Sequence, residues 1–262
     1  MLVGSEGPCP PAPKDGRGAD IHLKQCVAAD LRPMPCAQRR RPTMATQLAL
    51  PNSIDGVTIP DSALGRAIAE FVRDSETELL FNHSSRVYLF GALAGKQRGL
   101  RYDAELLYAA AMFHDLGLMH EHSTHDHRFE VDGANAARDF LRSHGIAQTE
   151  LDTVWTAIAL HTTPGVPEIM HPVIALTTAG VEMDVLGLTY GQYSDETREA
   201  VVAAFPRPSS FKEDIIQAFY DGIKDKPDTT FGNVKGDVVA DKEPHFHKGN
   251  FCSVIRGSRW TG

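Results

Sequence analysis

From residue 62 onward the chain repeats one pattern: apolar residues three and four apart, punctuated by capping residues, glycine or proline. That spacing lays side chains along one stripe of a helix and suits nothing else in the backbone repertoire. Leu64, Ile68, Phe71 and Val72 share one face and predict a first helix over about 62–73. Ser75 and Glu78 have capping-box spacing and predict a second helix reaching about Gln97. Asp103 is the expected cap of a third, up to about Leu116. A fourth covers about 129–143 and stops at Gly145, and Thr149 with Asp152 opens a fifth that ends before Pro164. Pro172 suits the first turn of a sixth, to about Leu186. Asp195 begins a seventh closed by Pro206, and Ser210 with Glu213 opens an eighth to about Lys224. No stretch alternates with the period of two that a half-buried strand requires, and no internal repeat is present. The expected fold class is all-α, a helical bundle.

The two ends of the chain lack this pattern. Residues 1–43 contain seven prolines, four glycines and the run Arg39-Arg40-Arg41, with no period to bury, and read as a tail that need not belong to the mature protein. Beyond Pro227 the chain turns polar, so residues 228–262 are expected to lie as an extended tail on a helical body spanning 44–227. Residues 1–44 carry seven Lys or Arg and four Asp or Glu, a net +3, which leaves −11 for the remainder of a chain whose total is −8. A body that acidic repels a phosphate backbone, which argues against nucleic acid as partner. No apolar run nears the roughly 18 residues of a membrane span, so no membrane partner is expected either. The cysteines at 9, 26, 36 and 252 have neither zinc-knuckle nor disulfide-framework spacing, and a reducing compartment, the cytoplasm, is the expectation. A small molecule is the expected partner; a homo-oligomer is left open.

Twelve histidines is the unusual count, and most lie between 83 and 171. On the second predicted helix His83 is followed by Val87, Phe90 and Ala94 at steps of four, three and four, so the imidazole faces the core. On the third, Leu107, Ala111 and His114 share a face, with Asp115 about 100° further round the helix. On the sixth, Val173, Thr177, Gly180 and Asp184 line up in the same way. One histidine on an apolar face is ordinarily a hydrogen-bonded core residue. Two histidines and two carboxylates aimed inward from three helices are different, because buried carboxylates are costly unless paired or metal-bound. Bundles build metal sites in this way. His161 follows Val154 and Ile158 by seven and three and also faces inward.

The segments NHSSRVYLFG, AAMFHDLG and MDVLG resemble the motifs of the HD superfamily of metal-dependent hydrolases, and within it the cyanamide hydratase branch. The resemblance runs from about Glu78 to beyond Pro206 and includes RFEVDGANAA, AIALH and AFPR. It implies an HD-type domain in the helical body, with His83, His114, Asp115 and Asp184 as metal ligands. It implies Asp115 and His161 as catalytic residues and a small apolar pocket lined by Phe113, Phe129, Glu130 and His161. Metal-activated water would then attack a small substrate, a cyanamide or nitrile being favoured. One divalent ion is expected, zinc from the nitrogen and oxygen donor set, with iron, manganese or nickel as alternatives. Binuclear relatives carry a histidine four residues before a Gly-Ala pair, and here that position is Phe129.

The sequence departs from the branch at TTPGVPEIM after His161 and at MDVLG, where substrate contacts are expected. A phosphohydrolase of a nucleotide or other phosphomonoester is therefore the alternative, with a diiron oxygenase or a non-catalytic ligand-binding HD module behind it. His120, His122, His125 and His127 read as a solvated loop, and Arg86 as a structural ion-pair donor.

Overall fold

A computed structural model describes residues 53–230 and 234–261, so the predicted tail over 1–43 lies outside the described residues. The described residues contain ten α-helices and no strand: α1 Ala63–Ser75, α2 Glu78–Gln97, α3 Ala104–Phe113, α4 Phe129–Ser143, α5 Gln148–Leu160, α6 Pro172–Val181, α7 Asp195–Ala204, α8 Phe211–Ile223, α9 Val234–Lys242 and α10 Phe251–Arg256. The all-α reading is correct. None of these helices is long and apolar enough to cross a membrane.

Local chemistry explains most boundaries. Asp103 caps α3, its carboxylate accepting from the backbone N–H groups of Glu105 and Leu106 at 2.8 and 3.0 Å. Two caps differ from expectation. Ser75 closes α1, its hydroxyl donating back to the Phe71 carbonyl, and Thr77 starts α2 by accepting from the Leu80 N–H. α5 begins one residue before Thr149, with the Glu150 carboxylate accepting from the Ala147 N–H. α6 stops at Val181 and continues as a π-helical turn over Glu182–Leu186, which carries Asp184. Beyond Pro227 the chain forms α9 and α10 where an extended course was expected.

The core is laid around α3, whose residues Leu106–Phe113 are all buried. Its Ala109-Ala110-Ala111 run lets neighbouring helices approach. α2 packs along α6 and α3, while α4 pairs with α5 and α5 closes on α6. The α2–α6 contact is close: a Cβ built on Gly180 would lie 2.1 Å from the Val87 carbonyl oxygen, and one on Gly91 2.6 Å from that of Leu176. A smaller apolar cluster of Leu80, Leu118, Phe129, Val185, Phe211, Ile215 and Ile255 joins α8 and α10 to the ends of α2 and α4. This packing sets His83 on α2 beside His114 at the end of α3.

Gly180→Ala puts a methyl group against backbone that cannot rotate away. Overpacking of this kind costs about 1–3 kcal/mol, or roughly 2–10 °C in thermal midpoint for a domain of this size. Calorimetry of the variant is the check; an unchanged midpoint would mean that α2 and α6 can part freely.

Candidate metal centre

Four polar side chains meet at zero or near-zero exposure where α2, α3 and α5 converge: His83, His114, Asp115 and His161. His83 sits mid-helix on α2, whereas His114 and His161 each follow the last residue of α3 and α5. At those ends the ring Nδ1 reaches a carbonyl in its own last turn, Ala111 for His114 and Ile158 for His161, both at 2.7 Å. A carbonyl only accepts, so each Nδ1 carries the proton and each Nε2 keeps its lone pair. His83 reaches the same state differently, donating from Nδ1 to Asp184 Oδ2 at 2.7 Å.

Three lone pairs thus converge with a carboxylate. His83 Nε2 and His114 Nε2 are 3.2 Å apart. Asp115 Oδ2 lies 3.6 Å from the first and 3.3 Å from the second, and Asp115 Oδ1 lies 3.6 Å from His161 Nε2. Neither Asp115 oxygen nor His161 Nε2 has a hydrogen-bond partner. A buried cluster made only of acceptors is unfavourable as it stands, and a cation resolves it. The separations match the roughly 3.4 Å edge of a tetrahedron with metal–ligand bonds near 2.1 Å. Among the described residues, His83, His114 and Asp115 are the group whose ligand atoms all come together closely enough to hold an ion. The donor set fits a divalent metal.

Electrostatics divide the two histidines: burial opposes protonation of His114, but the Asp115 carboxylate raises its pKa above the ordinary value. Burial lowers the pKa of His83 and so favours the neutral imidazole a metal needs. Burial opposes the charge on Asp115, and protonation of the facing imidazoles, His114 first, would hold its carboxyl below the usual range, the role a cation takes when the imidazoles are neutral. Asp184 is held far below the usual range, by Arg86 and then His83 against the opposing effect of burial.

The remaining predicted residues fall into place unevenly. Asp184 is not brought into the cluster. Its Oδ1 accepts from Arg86 Nε at 2.8 Å and its Oδ2 from Arg86 Nη2 at 2.9 Å as well as from His83. The guanidinium fork occupies both oxygens, so Asp184 orients His83 from behind, as carboxylates behind metal-bound histidines do. Arg86 is the ion-pair donor expected, and its Nη1 also donates to the Phe205 and Pro206 carbonyls. Phe129 lies edge-on to the His161 ring at 5.7 Å. Glu130 is buried but tied to Arg128 and the Thr162 hydroxyl, beside His161. Phe113 turns away, stacking on Phe71 and packing against Phe140 in the core.

Two buried groups escaped the sequence. Lys226 reaches Asp132 at 2.8 Å and Ser123 at 2.7 Å, and Asp132 also holds Thr124, so the histidine-rich loop is pinned from below. Glu76, between α1 and α2, has one unpartnered oxygen and only a 3.4 Å hydrogen bond from Ser84 on the other. Its burial and the Asp115 charge both raise its pKa well above the ordinary 4.5. Neither residue carries a local signal, because a charged residue between helices is ordinarily solvated.

Protein-family comparison matches residues 80–204 to the HD domain. The matched segment, just under half of the chain, supports an HD-type fold and contains the His114-Asp115 pair. HD domains mostly act as metal-dependent hydrolases and bind divalent metals. A comparison with curated proteins found no match.

His114→Ala removes one of three converging donors and should abolish stoichiometric divalent-metal binding; a full equivalent of tightly held metal in the variant would remove His114 from the ligand set. Glu76 yields a pH prediction. Above its ordinary pKa the unfolded glutamate loses a proton that the folded one keeps, so stability falls as pH rises. In metal-stripped protein Glu76→Gln should therefore raise the thermal midpoint at pH 8 and leave it nearly unchanged at pH 4. A drop at pH 8 would mean that the carboxylate charge is needed.

Proposed function

We propose that the chain is a zinc-dependent hydratase or hydrolase acting on a small uncharged substrate, with a nitrile or cyanamide as the favoured class. The observation that carries this reading is the company of the three imidazoles and Asp115. Of the described guanidinium groups near them, Arg86 is committed to Asp184 and Arg128 to Glu130. That leaves Arg207, stacked over the Phe211 ring with Nε and Nη2 unpartnered, as a single free cation rather than a convergent set. A phosphomonoester needs convergent, uncommitted cations. A neutral substrate does not.

When bound, the divalent ion supplies Lewis acidity and lowers the pKa of water. His83, His114 and Asp115 would hold it, and Asp184 keeps His83 in the tautomer that presents Nε2. His161 Nε2 and Asp115 Oδ1, 3.6 Å apart and unpartnered, face a common point from two sides. There His161 accepts a proton from water as it adds to the carbon of the C≡N bond, and returns a proton to the nitrogen. The C–O bond forms, the triple bond loses one pair, and the product is an amide or a urea. His161 is suited to this because the Ile158 carbonyl holds its Nδ1 proton and leaves the Nε2 lone pair to take one. Phe129 gives the site an apolar wall, and Glu130, held by Arg128 and Thr162, lies beside His161.

Metal-loaded protein assayed against cyanamide, small nitriles, phosphomonoesters and nucleotides tests the proposal. Urea or amide formation is expected. Phosphate release would instead make the chain a phosphohydrolase on the same centre. His161→Ala should keep its metal while turnover falls about 10²-fold or more, the scale of general acid–base help. Loss of metal would make His161 a ligand, and full activity would make it a core residue.

A further inference from the structure

The match to the HD domain ends at residue 204, yet the wall behind the metal centre does not. Phe211, Ile255 and Trp260 supply part of it. Phe211 on α8 lies 6.0 Å from the His83 ring and beneath the Arg86 guanidinium at 4.9 Å. Ile255 on α10 is fully buried against Leu80, Val185 and Phe211. The last described turn reaches the Asp184 segment itself: Trp260, 6% exposed, donates its indole N–H to the Met183 carbonyl at 2.7 Å.

We infer that residues 251–261 form a strap completing the metal centre, in which Trp260 is a positioning residue for Asp184. The inference rests on the metal-centre reading above and deepens it. Met183 is the peptide before Asp184, and it lies within the π-helical turn Glu182–Leu186. Such turns are rare and are frequent at functional sites. Here the Met183 carbonyl accepts two bonds, one from the Gly187 N–H at 3.1 Å and one from the indole. Gly187 turns the chain at φ +64°, and a Cβ there would lie 3.4 Å from Trp260 Cδ1.

The indole is fixed in turn. Its ring meets Phe90 at 5.9 Å and Tyr190 at 4.9 Å, with the Arg207 guanidinium over it at 5.0 Å. Phe90 lies on α2, two turns beyond His83, so one side chain bridges the helix that carries the histidine and the turn that carries its carboxylate. The strap is held down by Lys212, which donates to the Arg256 and Ser258 carbonyls, and by the Arg256–Glu213 ion pair. Trp260 fixes the Met183 peptide, that peptide fixes Asp184, and Asp184 orients His83 toward the metal.

Trp260→Phe in the full chain keeps a ring and removes the donor. The Met183 carbonyl retains its Gly187 bond, so the fold should stand. The readout is the dissociation constant for Zn²⁺, from competition with a chromophoric chelator, beside the thermal midpoint of metal-free protein. We expect about tenfold weaker zinc, the lower end of what loss of a supporting hydrogen bond behind a ligand costs, with little change in the metal-free midpoint. The visible spectrum of the Co²⁺-loaded variant should also shift. Val254→Ala, an exposed position on the same strap, should match wild type in every measurement. Zinc affinity within twofold of wild type in Trp260→Phe would overturn the inference, whatever its effect on the midpoint. If Trp260→Phe does not fold, Gly187→Ala perturbs the same contact from the turn side and is judged by the same criterion. Failure of wild type to bind zinc would instead remove the metal-centre reading, and the inference with it.

Discussion

The contact on which the centre depends is the ion pair between Arg86 and Asp184, both fully buried. It joins α2 to the turn after α6 and sets the orientation of His83 through the shared carboxylate. Two charges withdrawn from water are tolerated because every strong donor has an acceptor: the guanidinium spends its N–H groups on both Asp184 oxygens and on the Phe205 and Pro206 carbonyls. Breaking such a pair from one side leaves an uncompensated charge, a loss of about 3–5 kcal/mol. Fold and chemistry therefore share one interaction.

Tautomer control extends that economy. Each imidazole at the centre commits its Nδ1 proton to a backbone carbonyl or to Asp184, and the lone pairs then have one direction left. For His114 and His161 the device is simply the end of a helix, where the last turn has carbonyls to spare. The same backbone feature that terminates α3 and α5 thus fixes which ring nitrogen of each histidine faces the cluster.

Much of this was legible before any coordinates. Apolar spacing identified the helices and turned His83, His114, Asp115 and His161 inward, and the separate reading of Arg86 as a structural ion-pair donor is met by its pairing with Asp184. Periodicity reports which face a residue occupies, not which atom meets which neighbour. For that reason it could bring Asp184 inward without revealing that Arg86 and His83 engage both its oxygens. Phe113 shows the same limit, since it is adjacent to His114 yet rotated about 100° into the Phe71–Phe140 stack. Glu76, Lys226 and Trp260 were beyond reach because their partners lie far along the chain, or in the case of Ser84 across a helix junction.

Helix content and the inward histidines follow from local spacing, because a 3.6-residue period and a cap are properties of neighbouring residues. The tautomers, the removal of Asp184 from the cluster and the sealing of the centre by residues beyond 204 were decided only when the helices packed. Those features depend on which atoms of distant segments come within hydrogen-bond distance, and that distance is set by close approaches such as Gly180 on Val87. Periodicity along a chain carries direction but no depth, and depth is what turns an inward histidine into a donor held at 3.2 Å from its neighbour.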